Sequence, residues 1–119
     1  MHNPILIVED HEDTLMAIET LLVCSNFQCR GAGSRDEAHK LLQSGFAPSC
    51  VIMDYYMPGM RLEEFLDQTA TLKLRLILTT AAQEAPDIAK RFGIAHVVAK
   101  PIYADRLIET VQRILAPTV

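Results

Sequence analysis

Two rhythms of apolar and polar residues alternate along this chain. Short continuous apolar runs read as buried strands: "PILIVE" (4–9), "FQCRGA" (27–32), "SCVIMD" (49–54), "LRLILT" (74–79) and "AHVVA" (95–99). Between them lie segments with apolar residues three or four apart, the helical period. "EDTLMAIETLLVCS" (12–25) brings Leu15, Ile18, Leu22 and Ser25 to one face, with Leu21 beside them. "SRDEAHKLLQSG" (34–45) opens on Ser34 with Glu37 three residues later, a capping box, and Gly45 suits its stop. "RLEEFLDQTATL" (61–72) sets Leu62, Phe65, Leu66 and Thr69 near one face. "APDIAKRFG" (85–93) is a shorter helix with Pro86 in its first turn and Gly93 at its end, and "ADRLIETVQRILAP" (104–117) carries a clear stripe stopped by Pro117.

Strand and helix alternate five times. That order calls for βαβ units with right-handed crossovers, hence an α/β fold with a parallel sheet covered by helices on both faces. No repeat, linker or low-complexity segment interrupts it, so residues 1–119 are expected to form a single domain. Central parallel strands are apolar throughout because both faces are covered, and polar residues then collect where such strands end. Ligands of open α/β sheets bind beyond the carboxyl ends of the strands.

At those ends stand Glu9 and Asp10 after the first strand, Asp54 at the third, Thr79 and Thr80 at the fourth, and Lys100 followed by Pro101 at the fifth. Taken singly, each is an ordinary cap, solvated charge or strand residue. If these strands are neighbours, the groups converge. Carboxylates about 4 Å apart then repel by about 4 kcal/mol per pair at an effective dielectric of about 20. Protonation or a divalent cation could offset this, and oxygen donors without thiolate suit magnesium. Asp54 is then a candidate nucleophile forming an acyl phosphate, Lys100 a point charge for a phosphoryl oxygen, and a threonine hydroxyl a donor to another.

Composition narrows the classes. The chain is 50% hydrophobic with a formal charge of −4, which suits a globular domain and argues against a nucleic-acid surface. No apolar run reaches the roughly 18 residues of a membrane span, and "MHNPILIVED" lacks the basic segment of a secretory signal. A cytoplasmic location without membrane contact is expected. Cys24, Cys29 and Cys50 are read as reduced core thiols. His2, His11, His39 and His96 are scattered without ligand spacing.

The combined pattern resembles the receiver domain of two-component response regulators, from "ILIVED" through "VIMDYYMPGM" and "LILTTAA" to "VVAKP". The resemblance implies a flavodoxin-like (βα)5 fold with strand order 2-1-3-4-5. It implies that a histidine kinase or phosphotransfer protein, as in a phosphorelay, donates a phosphoryl group to Asp54. It implies that the side chains of Glu9, Asp10 and Asp54 and the Tyr56 carbonyl hold Mg2+, partly through water. Thr80, chosen over Thr79 because Ala81 follows it, and Lys100 would sense the phosphoryl group, and the Lys100–Pro101 bond would be cis. The chemistry is confined to the protein's own Asp54, so the chain is not read as an enzyme in the usual sense. Output would pass to an effector domain or protein through the fourth helix, fifth strand and fifth helix, with a homodimer left open.

The chain departs from the family pattern in three places. Arg61 and Leu62 stand where the family usually has Asp or Asn and then Gly, so that loop is expected to differ. Val97, with His96 beside it, takes the place of the usual switch aromatic. The segment between Thr80 and Gly93 is short, so a reduced fourth helix is expected. Leu62 and Val97 keep alive an interaction module of receiver fold that works without phosphorylation, against which the intact acid pair, Asp54, Thr80 and Lys100 argue. A magnesium phosphatase would carry D-x-D after strand one, where this chain has Glu9-Asp10-His11, and a flavin protein would need a phosphate loop where "EDHEDT" repels one.

Overall fold

A computed structural model describes residues 3–116. The elements run β1 (Ile5–Val8), α1 (Glu12–Cys24), β2 (Cys29–Ala32), α2 (Arg35–Gln43), β3 (Val51–Asp54), α3 (Leu62–Gln68), a 3-10 turn (Ala70–Leu72), β4 (Leu76–Ala81), α4 (Ala85–Phe92), β5 (His96–Lys100) and α5 (Ala104–Leu115). All sheet pairings are parallel, in the order β2-β1-β3-β4-β5.

The two central apolar runs are buried at every position of β1 and β3, whereas edge strands β2 and β5 are only partly covered. Alternation along the strands sorts the core into two layers. Ile5, Ile7, Ile52, Ile77 and Val98 meet Ile18 and Leu22 of α1 and Leu107, Val111 and Leu115 of α5. Leu6, Val8, Val51, Met53 and Leu78 meet Ala38 and Leu42 of α2, Leu62 and Phe65 of α3, and Ile88 of α4. Each fully buried side chain of this kind contributes roughly 1.5–3 kcal/mol relative to exposure.

Half of the expected capping box forms at the start of α2: the Ser34 hydroxyl accepts the Glu37 N–H at 3.0 Å, whereas the Glu37 carboxylate reaches back past Ser34 to the Gly33 N–H at 2.8 Å. Gly93 ends α4 in the left-handed region at φ 64°, and α4 keeps eight residues. Other boundaries differ from the sequence expectation. The helix expected over 61–72 leaves α geometry after Gln68, where the Phe65 carbonyl accepts both the Thr69 N–H at 3.0 Å and the Thr69 hydroxyl at 2.7 Å. β4 runs on to Ala81, since Thr79, Thr80 and Ala81 pair with Val98, Ala99 and Lys100. The threonines and Lys100 are therefore strand residues rather than loop residues. Cys24 is exposed and Cys29 only partly covered, so only Cys50 is a core thiol: α1 turns Ile18 and Leu22 inward and Cys24 outward. Pro117 lies outside the described residues. No helix among them is long and apolar enough to cross a membrane.

Candidate functional site

The carboxyl ends of β1, β3, β4 and β5 bring the predicted groups to one rim. In β3, Asp54 follows Met53; its register partner on β4 is Thr79, so the two side chains emerge on the same face. Asp54 is 4% exposed, and its Oδ1 takes the Lys100 ammonium at 3.0 Å. The Thr79 hydroxyl lies 3.4 Å from the same oxygen, a long contact for a hydroxyl donor. Thr80, one residue further along β4, is also buried, and its hydroxyl has no hydrogen-bond partner among the described residues. The Lys100–Pro101 peptide is cis.

Glu9 and Asp10 follow β1, and Glu9 continues the sheet by donating its N–H to the Ala32 carbonyl. Glu9 is buried. Burial pushes its carboxyl up, the His11 N–H draws it down, and the Asp54 charge pushes it up again. The sequence reading set His11 aside with the other histidines. It stands at the N-cap position of α1 without a side-chain capping bond, and its Nδ1 lies 3.3 Å from Glu9 and 3.4 Å from Asp10. Ligand atoms of Glu9, Asp10 and His11 all lie within 4.8 Å of one another. A buried carboxylate beside a second acid and in the field of a third is a donor set that a hard divalent cation fits. His2 lies outside the described residues.

Two further contacts shape the rim. Tyr56 is 59% exposed and its hydroxyl donates to the Glu84 carboxylate at 2.7 Å, linking the loop after β3 to the start of α4. Tyr55 stacks edge-on against Tyr56 and tilts against Phe92, with ring centres 4.9 and 5.9 Å away. Glu84 carried no sequence signal, because an isolated acid before a proline-started helix looks like a solvated cap. Val97 is half-buried against the α2–α3–α4 layer, where the resemblance would put an aromatic ring.

Comparison with known proteins gives the family and the fold. The family described as response regulator receiver domain matches residues 5–112. The chain belongs to that family. A receiver domain protein from Clostridium thermocellum superposes with a TM-score of 0.81 at 20% identity, covering 95% of this chain and 94% of that one. The Vibrio cholerae chemotaxis protein CheY4 gives 0.80 at 22% identity over 97% and 100%. The N-terminal domain of an uncharacterized Wolinella succinogenes protein gives 0.78 at 28% identity over 95% and 93%. No curated protein matches the chain significantly. The family is one of phosphorylation-dependent signalling switches, generally without enzymatic activity.

Proposed function

We propose that this protein is a signalling switch that accepts a phosphoryl group on Asp54 from a histidine kinase or phosphotransfer protein, with Mg2+, and thereby changes its affinity for an effector. The observation that carries the reading is Asp54 itself, a buried carboxylate at the sheet rim with Lys100 Nζ 3.0 Å from Oδ1.

Asp54 is the nucleophile. Its oxygen forms a bond to phosphorus as the donor's P–N bond breaks; the electron pair stays on the donor imidazole, and the product is an acyl phosphate. Lys100 would shift from the carboxylate to a phosphoryl oxygen, carrying its charge with it. The Thr80 hydroxyl, buried and unpaired, is the donor we assign to another phosphoryl oxygen, while Thr79 stays with Asp54. Glu9, Asp10 and Asp54, with the Tyr56 carbonyl, would hold Mg2+. When bound, the cation would neutralise charge on the transferring group. The Tyr56 ring, two residues after Asp54 and hydrogen-bonded to Glu84, would shield the acyl phosphate from water. Output through α4, β5 and α5 would be a population shift biased by the phosphoryl group.

Intact-mass measurement after incubation with acetyl phosphate tests this. One added phosphoryl group, dependent on Mg2+, blocked by chelator and lost in Asp54→Asn, is expected. A folded protein that gains no phosphoryl group and binds no Mg2+ would overturn the reading in favour of an interaction module that works without phosphorylation.

A further inference from the structure

Arg35 opens α2 and is only 2% exposed. Its guanidinium lies beneath the loop that joins β3 to α3. Nη2 donates to the carbonyls of Asp54 at 3.1 Å and Tyr55 at 2.7 Å, Nη1 donates to the Met60 carbonyl at 3.0 Å, and Nε faces the Met53 sulfur at 3.3 Å. Four of its five N–H donors are thus aimed at this one segment. No carboxylate among the described residues lies within ion-pair distance of it. A buried charge without a counter-charge is costly, and burial accordingly lowers its proton affinity, while Asp54 raises it. The neighbouring Asp36 grips the same loop: its Oδ2 accepts the Met60 N–H at 3.4 Å. Gly59, at φ 89°, takes a conformation that favours glycine, and a Cβ there would come 2.9 Å from that oxygen, so the turn against α2 suits glycine.

We propose that Arg35 is the positioning residue of the phospho-acceptor loop. Its planar fork ties the carbonyls of Asp54 and Tyr55 at one end of the loop, and of Met60 at the other, to the first turn of α2. This fixes the backbone that aims the Asp54 carboxylate and the Tyr56 carbonyl. An ammonium cannot replace it, because a single point charge does not span acceptors at both ends of a loop. The consequence for phosphoryl transfer rests on the function proposed above; the consequence for the loop does not.

Hydrogen exchange by mass spectrometry separates the two. In Arg35→Lys and Arg35→Gln, amides of residues 55–61 are expected to exchange about tenfold faster or more, with β1 and β4 unchanged. Phosphorylation by acetyl phosphate at saturating Mg2+ should fall about 10- to 100-fold, as misplacement of a reacting group does. Lysine should not rescue it, although it keeps the charge. Unchanged loop exchange in a folded variant, or full rescue by lysine, overturns the proposal. A wild-type chain that shows the loop effect but takes no phosphoryl group leaves Arg35 as the loop anchor and overturns only the function. Should both variants fail to fold, nuclear magnetic resonance of the unaltered protein decides: Arg35 guanidinium protons are expected to be resolved and slowly exchanging, and averaged, fast-exchanging signals would overturn it.

Discussion

Lys100 Nζ and Asp54 Oδ1 lie 3.0 Å apart, but their surroundings are unequal: the lysine side chain is 38% exposed and the aspartate 4%. Removing one partner therefore differs from removing the other. Lys100→Met strands a buried carboxylate and is expected to destabilise the cation-free protein by about 1–3 kcal/mol. Asp54→Asn leaves an ammonium that can turn to water and also relieves repulsion on Glu9, so it should be neutral or mildly stabilising. Urea titrations of both variants in chelator check this, and equal losses would contradict the asymmetry.

The Tyr56–Glu84 contact predicts a lifetime effect. On the function proposed above, Tyr56→Asn should lose the phosphoryl group faster, because the ring proposed to shield it is gone. Tyr56→Phe keeps the ring but loses the 2.7 Å bond that holds it, and should fall between the two. Decay of the phosphorylated mass after donor removal reads the order directly. An unchanged or slower decay in Tyr56→Asn is the outcome against it.

Glu9 gives the cation-free protein a definite pH trend. Its carboxyl is raised by burial first, so the folded state holds the proton more tightly than the unfolded state. Its contribution to stability is greatest below the ordinary carboxyl value of 4.5 and declines as pH rises from there through the raised value. Glu9→Gln removes that decline. In chelator at neutral pH the variant should melt higher, by about 4 °C for each kcal/mol relieved, and, on the Mg2+ site proposed above, should gain less from added Mg2+ than the parent. Melting curves across acid and neutral pH, with and without Mg2+, test both halves.

The three thiols should separate cleanly. Cys50 is buried and its thiol is pushed up to about 11, chiefly by burial. Cys29 is raised by burial and then by Glu19, and Cys24 is exposed. Alkylation of the native protein should label Cys24 first and Cys50 only on unfolding. Peptide mapping after a short exposure to iodoacetamide checks the order, and early labelling of Cys50 would contradict the packing of the α1–α5 layer.

The sequence alone determined the alternation of five strands and five helices, because burial of a parallel sheet on both faces forces continuous apolar runs in β1 and β3 and one-sided stripes in the helices. It also marked Glu9, Asp10, Asp54 and Lys100, since charged residues directly after apolar runs are visible as breaks in pattern. Tertiary structure alone decided what crosses between elements. β4 outlasts its apolar run because Thr79 and Thr80 find partners on β5, which no local signal reports. Thr79 reaches Asp54 because strand register sets the two opposite each other across β3 and β4. Arg35 reads as a solvated charge at a well-capped helix start, yet it is buried, since its partners are carbonyls 19, 20 and 25 residues away. Backbone acceptors carry no side-chain signature, so only the folded chain could reveal which residue holds the loop.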